Sequence, residues 1–222
     1  MSPIKAVFWD SDNTLIDTFA LHWAKHKDVL ATHGIALDDR FKPRIHHNNG
    51  TQNYAWIKDE LGLKISEADY LNQIDSYYRN HSSSLKLRSG VAEILEFFKS
   101  QNIPQVVVSN GRRNSVEASH HATNIFHYFE FLICKEDYEG RKPEPVPFTT
   151  ALKRLNEIKA MDIQPQDCLA IDDDPLGIES AKKAGMITLY RPTALVAQTF
   201  DFADYTAHSA AEFSALCRTF LA

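Results

Sequence analysis

The residues of this chain best suited to chemistry are the carboxylates of Asp10 and Asp12, in the run Asp10-Ser11-Asp12-Asn13-Thr14, and those of Asp172, Asp173 and Asp174, just ahead of Pro175. Two more pieces complete the set, Ser109-Asn110-Gly111 and Lys142-Pro143. Taken alone, each has a plain structural explanation. Asp and Asn form turns, Ser109 and Asn110 suit a helix cap, and a lone lysine is usually a solvated surface group. Asp174-Pro175 reads as the N-cap and first residue of a helix. That leaves Asp172 and Asp173 unexplained. If folding brings these acids to one place, unit charges ~4 Å apart repel by on the order of 4 kcal/mol per pair at an effective dielectric of about 20. A cation makes such a cluster tolerable. Hard oxygen donors with no His or Cys among them suit Mg2+, which keeps several waters and is completed by phosphate oxygens. Lys142 then supplies a fixed positive charge, and Ser109 with adjacent amides supplies hydrogen bonds to phosphate. The chemistry expected is phosphoryl transfer.

The elements that position these residues are short apolar runs rich in β-formers: Ile4 to Trp9, Gln105 to Ser109, Phe131 to Cys134, Cys168 to Ile171 and Ile187 to Tyr190. Helical patterns lie between them, at Val91 to Gln101, Arg112 to Thr123, Pro145 to Asn156 and Pro175 to Ala184, the last stopped by Gly185. The alternation implies an α/β fold with a doubly wound parallel sheet. In such sheets ligands bind outside the carboxyl ends of the strands, where the strand order reverses. Every chemically suggestive run sits at such an end or in the loop after it.

The stretch from about Asp17 to Leu87 breaks the alternation. It reads as consecutive helices without a convincing strand: Phe19 to Thr32 stopped by Gly34, Thr51 to Leu61 stopped by Gly62, and Ser66 to Asn80. The expected domains are an α/β core over residues 1–16 and 88–222 and an α-helical insert over residues 17–87. The tail from about Ala210 reads as a final amphipathic helix.

The order D-x-D-x-T, then Ser, then Lys-Pro, then an acidic pair followed by P-x-G-I-x-x-A-x-x-A-G resembles the haloacid dehalogenase superfamily, over residues 4–16 and about 88–191. The resemblance extends to its phosphatase and phosphoglucomutase-like members, which carry an α-helical cap between the first two motifs. It implies that Asp10 is the nucleophile, attacking phosphorus to form an aspartyl-phosphate, and that Asp12 is the general acid and base. It further implies that Ser109, Asn110 and Lys142 bind phosphate. Mg2+ is implied on Asp10, the main-chain carbonyl of Asp12 and Asp173, with Asp172 a second acidic candidate. Asp12 argues against two subclasses, since dehalogenases lack an acid there and phosphonate hydrolases place a small residue. Asn13 stands where Gly is commoner, a tolerable change because Asn also adopts left-handed backbone. Trp9, beside the nucleophile, reads as core packing.

The resemblance makes the helical insert a cap that sets substrate choice. Six histidines fall in it: His22, His26, His33, His46, His47 and His81. Of these, His26, His33 and His81 read as solvent-facing positions on their helices, while His22, one turn beyond the first motif, is placed to contact a leaving group. The segment from His46 to Gln52 resembles the cap loop that dips into the site, which makes His47, Asn49 and Gln52 candidate specificity residues. That loop holds no Arg or Lys, and Arg44 precedes it. A sugar phosphomutase, the main alternative, must grip a second phosphate through cap cations, so a phosphatase of a small, hydroxylated phosphomonoester is the leading expectation. Sugar, polyol, glycolate and nucleotide phosphates all fit it. A non-catalytic phospho-acceptor module also combines acids, Ser or Thr and Lys on a parallel sheet, but is about half this length and lacks the helical insert.

Composition agrees with these expectations. The chain has 222 residues, 44% hydrophobic, with 29 acids against 24 Lys and Arg. The net charge of −5 offers no basic stripe for a nucleic-acid backbone. Three cysteines without metal spacing fit a reducing cytoplasm. No apolar run approaches the roughly 18 residues of a membrane span, and the N-terminus has no signal pattern. The expected partner is a small phosphorylated metabolite, with no nucleic acid or membrane, and the expected state is a monomer or weak homodimer.

Overall fold

The structure, a computed structural model, describes residues 3–193 and 202–221; the parts of the expected core at residues 1–2, 194–201 and 222 lie outside the described residues. It divides into two compact units, Met1–Asp17 with Lys86–Ala222, and Thr18–Leu85.

The first unit is built on the expected parallel sheet. Its central strand β1 (Ala6–Trp9) is wholly buried, as an apolar run covered on both faces must be. After β1 the chain forms β2 (Ile16–Asp17), which pairs antiparallel with β3 (Lys86–Leu87) where the chain returns. This ribbon was not expected, because two residues per strand are too few to show an alternation. It moves the division between the units to 17/18 and 85/86, against the expected 16/17 and 87/88. Then come β4 (Gln105–Val108), β5 (Leu132–Ile133), β6 (Cys168–Asp172), β7 (Ile187–Tyr190) and β8 (Tyr205–Thr206). Six strands lie in the order β5-β4-β1-β6-β7-β8, all parallel. The order reverses between β1 and β6, which defines the ligand-binding crevice of such sheets. Trp9 pairs with both Val107 and Ile171, so the next residue on β1, Asp10, and the next on β6, Asp172, stand level at the carboxyl edge.

The second unit holds α1 (Phe19–Thr32), α2 (Lys42–His47), α3 (Gly50–Leu61) and α4 (Glu67–His81). The sequence pattern gave α1, α3 and α4 but not α2, whose six residues bury only Ile45 and so carry no periodic signal. Gly34 and Gly62 end α1 and α3 at φ of 75° and 74°, a backbone region open to glycine. Trp23, Leu30, Ile57, Tyr70 and Ile74 form the unit's core. His26, expected on the surface, is 3% exposed, and its Nδ1 meets the Tyr70 hydroxyl.

Among the described residues, five helices complete the first unit: α5 (Val91–Ser100), α6 (Arg113–Ala122), α7 (Val146–Lys159), α8 (Pro175–Lys183) and α9 (Ala210–Thr219). Adjacent residues of β1 face opposite sides of the sheet. Phe8 clusters with Phe148, Ala151 and Leu155 of α7. Trp9 packs edge-on against Phe98 of α5 and Phe213 of α9, 6.3 and 6.1 Å between ring centroids, and donates Nε1–H to Gln105 Oε1 at 3.0 Å. It is a core residue, as expected. Both faces of the sheet are therefore covered by helices. Among the described residues no helix is long and apolar enough to cross a membrane.

Candidate active site

The loop after β1 folds back on itself at once. The Asp10 amide still belongs to the sheet, donating to Ile171 O at 2.9 Å, but the Ser11 carbonyl already accepts the Leu15 and Ile16 amides. Asn13 adopts φ of 59°, a left-handed conformation that Asn accepts at modest cost, and its amide donates to Ile16 O at 2.7 Å. Thr14 Oγ1 then donates to Asp173 Oδ1 at 2.7 Å and accepts the Asp173 amide at 2.9 Å. The first and fourth motifs are joined through this threonine.

Lys142 joins them a second time. Its Nζ donates to Asp10 Oδ1 at 2.7 Å and to Asp172 Oδ2 at 2.8 Å, with the lysine side chain only 4% exposed. Asp172 Oδ1 accepts the Asp174 amide at 2.9 Å. The opening of α8 makes room for this carboxylate: a Cβ on Gly177 would lie 1.8 Å from Asp172 Oδ2. Asp174 caps α8 by accepting the Leu176 amide, with Pro175 in the first turn, as expected.

The electrostatics follow from burying three carboxylates around one ammonium, with the charge of Arg88 also acting on Asp173. Asp10, Asp172 and Asp173 each bring an oxygen within 4.8 Å of the others. Burial, then the charge of Asp172, pushes Asp10 up to about 8 despite Lys142. Burial likewise raises Asp172, and burial with the charge of Asp10 holds Asp173 well above the usual carboxylate range. Burial opposes the charge on Lys142, but Asp10 and Asp172 outweigh it and hold the lysine above its ordinary value. One ammonium cannot neutralise three acids, so the cluster is short of positive charge. Its donors are all oxygen, which is the chemistry of a site for a hard divalent cation such as Mg2+.

The turn after β4 faces the same edge. Ser109 is 2% exposed and its Oγ accepts the Gly111 amide at 2.9 Å. A Cβ on Gly111 would approach Ser109 Oγ to 3.0 Å and Asp12 Oδ2 to 3.3 Å, so the Asp12 carboxylate reaches this turn and glycine leaves space for it. Asn110 Oδ1 accepts the Lys142 amide at 3.1 Å, and the Tyr138 hydroxyl shares its proton between Asn110 Oδ1 and Ser109 O at 3.0 and 2.9 Å. The amide oxygen of Asn110 thus fixes the backbone of Lys142. Asp10, Asp12, Ser109, Asn110, Lys142, Asp172 and Asp173 are all gathered at one sheet edge.

Several residues of this site were not singled out from the sequence. Thr14 was read only as part of a motif. His120, fully buried on α6, meets Ser11 Oγ at 3.0 Å. Arg88 donates to Asn13 O, Arg191 O and Pro192 O, and Arg191 donates to Thr14 O and Ser89 O, so two arginines tie the loop after β1 to its surroundings. Their residue types match a solvated surface, and their partners are distant in sequence.

The helical unit departs from expectation between His46 and Gln52. His46 and His47 end α2, and Asn49 is the N-cap of α3, its Oδ1 accepting the Gln52 amide while Gln52 Oε1 accepts the Asn49 amide. What was expected as one loop is a helix end, a two-residue corner and a capped helix start. Asn53, fully buried, donates to Ile45 O and Asn48 O and so fixes that corner. His46 stacks on Phe19, ring centroids 3.6 Å apart, and burial lowers it to about 4. His22 lies 5.1 Å from the Tyr78 ring, and His47 is exposed. Arg44 is engaged by Glu60 in a two-bond pair at 2.7 and 2.6 Å.

Comparison with known proteins agrees with this geometry. The family model of haloacid dehalogenase-like hydrolases matches residues 7–190, and the chain belongs to that family. It is 29% identical over 201 residues to the 6-phosphogluconate phosphatase of Escherichia coli, covering 86% of this chain and 83% of the relative. It is 24% identical over 188 residues to the phosphorylated carbohydrates phosphatase of Thermotoga maritima, covering 84% of each. The crystal structure of CbbY from Rhodobacter sphaeroides in complex with phosphate superposes with a TM-score of 0.84 at 22% identity, over 95% of this chain and 96% of that one, and shares the fold.

Proposed function

We propose that this hydrolase is a Mg2+-dependent phosphatase of small phosphorylated metabolites that works in two steps through an aspartyl-phosphate on Asp10. The observation that carries the proposal is the buried cluster of Asp10, Asp172 and Asp173 beneath the single ammonium of Lys142. Asp10, the main-chain carbonyl of Asp12 and Asp173 would hold Mg2+, while Asp172 serves first as the anchor of Lys142. The ion, when bound, offsets the charge of nucleophile and phosphate so that they can approach.

The chain's own residues then divide the work. An oxygen of Asp10 attacks phosphorus, the bond from phosphorus to the leaving oxygen breaks, and Asp12 gives that oxygen a proton. Asp12, now a carboxylate, takes a proton from water as the water oxygen attacks phosphorus. The bond to Asp10 breaks and inorganic phosphate leaves. Lys142 holds the Asp10 carboxylate in place and balances charge throughout. Ser109 Oγ and the amides of its turn bind the phosphoryl oxygens, and Asn110 acts by fixing Lys142.

We assign substrate choice to the helical unit, which enters the chain between the first two motifs, with His22 and His47 as candidate specificity residues. The named activities of the E. coli and T. maritima relatives put sugar and sugar-acid phosphates first among substrates to test. A mutase needs a cation for a second phosphate, and Arg44, near the corner, is already paired with Glu60. A screen of phosphorylated metabolites with Mg2+, reading released phosphate, tests the proposal; sugar phosphates should be hydrolysed, and conversion of a hexose 1-phosphate to its isomer without phosphate release would contradict it.

A further inference from the structure

Ser11 sits between the two carboxylates assigned to catalysis, and its side chain is tied by one bond, to His120 Nε2 at 3.0 Å across 109 residues of sequence. Ser11 lies one residue from each of them, so a grip on Ser11 is a grip on the backbone that carries both. Its carbonyl is the hub of the turn, accepting the amides of Leu15 and Ile16. Both Ser11 and His120 are 0% exposed. The imidazole is wedged by Phe129 at 5.3 Å and Phe126 at 6.4 Å between ring centroids, so its orientation is set by α6 and the turn that follows it.

The other ring nitrogen, Nδ1, is buried without a hydrogen-bond partner. Either tautomer of the neutral ring keeps the bond, with Nε2–H donating to Ser11 Oγ or Nε2 accepting the Ser11 hydroxyl. Burial, against the nearby charge of Asp12, lowers His120 to about 4, which keeps the ring neutral at neutral pH. An apolar pair would fill this space without leaving a nitrogen unsatisfied, so packing alone does not account for the choice.

We propose that His120 is a positioning residue: through its bond to Ser11 it fixes the directions in which Asp10 and Asp12 present their carboxylates. The proposal rests on the phosphatase assignment above. It concerns aim, so it acts on the chemical step more than on substrate binding.

The test compares Ser11→Ala, His120→Leu, His120→Gln, His120→Asn and the double variant Ser11→Ala/His120→Leu, reading kcat and KM on p-nitrophenyl phosphate with Mg2+ and, separately, Tm. Ser11→Ala and His120→Leu should each lower kcat about tenfold or more with KM changed by less than about threefold. The double variant should be no slower than either single one, as expected of a shared interaction. His120→Gln, whose Nε2 lies as many bonds from the backbone as the imidazole Nε2, should recover most of the rate; His120→Asn, one bond short, should not. An unchanged kcat in Ser11→Ala and His120→Leu, whatever happens to Tm, overturns the proposal, as does a His120→Gln enzyme as slow as His120→Leu. Should His120→Leu not fold, Ser11→Ala and His120→Gln decide the matter. Should the wild type hydrolyse no phosphomonoester, the phosphatase assignment fails, and the tie is read from amide exchange: Ser11→Ala should speed exchange of the amides of residues 12–16 and leave α6 unchanged, and equal exchange in both proteins overturns the tie.

Discussion

Thr14 and Asp173, 159 residues apart in sequence, satisfy each other twice: the hydroxyl donates to the carboxylate at 2.7 Å and accepts the amide at 2.9 Å. This exchange fixes both the backbone and the side chain of an acid assigned to the metal, and leaves the rest of that carboxylate to face Asp10 and Asp172. Thr14→Val keeps the shape and removes both bonds. Outer partners of this kind govern metal affinity by about 10- to 100-fold. Titrating activity with Mg2+ should show a half-saturating concentration raised by that order in Thr14→Val, and little changed in Thr14→Ser.

Lys142 is the one ammonium on two buried carboxylates. Removing a partner from a buried charged set costs about 3–5 kcal/mol because the remaining charges are left uncompensated. Lys142→Met should lose activity and unfold at lower urea in the presence of chelator. Added Mg2+ should restore part of that stability and none of the turnover.

Gly177 is held to glycine by the carboxylate beside it. The Cβ of Gly177→Ala would fall 1.8 Å from Asp172 Oδ2, so either α8 or Asp172 has to move. Overpacking of this kind costs about 1–3 kcal/mol. Because Asp172 anchors Lys142, kcat should fall as well, and a crystal structure of the variant should show the Asp172–Lys142 contact lengthened.

Three imidazoles make the fold sensitive to acid. Burial holds His46 and His120 at about 4 and His26 well below its ordinary value. In the unfolded chain such groups take up protons near about 6.5. Stability from these groups is therefore fully present above about pH 6.5 and is lost as the pH falls toward 4, where only the unfolded state gains protons over most of the interval. Urea unfolding of His26→Met between about pH 6 and 4.5 should show a slope of stability against pH smaller by up to about 1.4 kcal/mol per unit.

What could be read from the sequence was what short-range rules govern. β7 and α1 match their expected bounds, and Asp174-Pro175 opens α8 because cap and first-turn preferences are local. The convergence of Asp10 and Asp172 was legible because both end apolar strands, and parallel sheets bring such ends to one edge. The two-residue β8 and the six-residue α2 carry no run long enough for periodicity to show, whereas the two-residue β5 was found through the four-residue apolar run Phe131 to Cys134 around it. His26 was misplaced because α1 buries Lys25 and His26 together with Val29 and Leu30, so its inner face is not purely apolar. Thr14 and Gly177 entered only as motif positions, and His120, Arg88 and Arg191 not at all, for another reason. Their importance lies in partners that only the fold supplies, and nothing in their residue type separates them from caps, surface groups or helix interiors.

The central claim is that Asp10 carries the phosphoryl group during turnover. Acid quenching of the enzyme during hydrolysis, followed by borohydride reduction, converts an aspartyl-phosphate to homoserine, which peptide mass spectrometry locates. Homoserine should appear at position 10, only when both Mg2+ and substrate are present, and be absent from Asp10→Asn. Release of phosphate at the normal rate with position 10 unmodified would contradict the account.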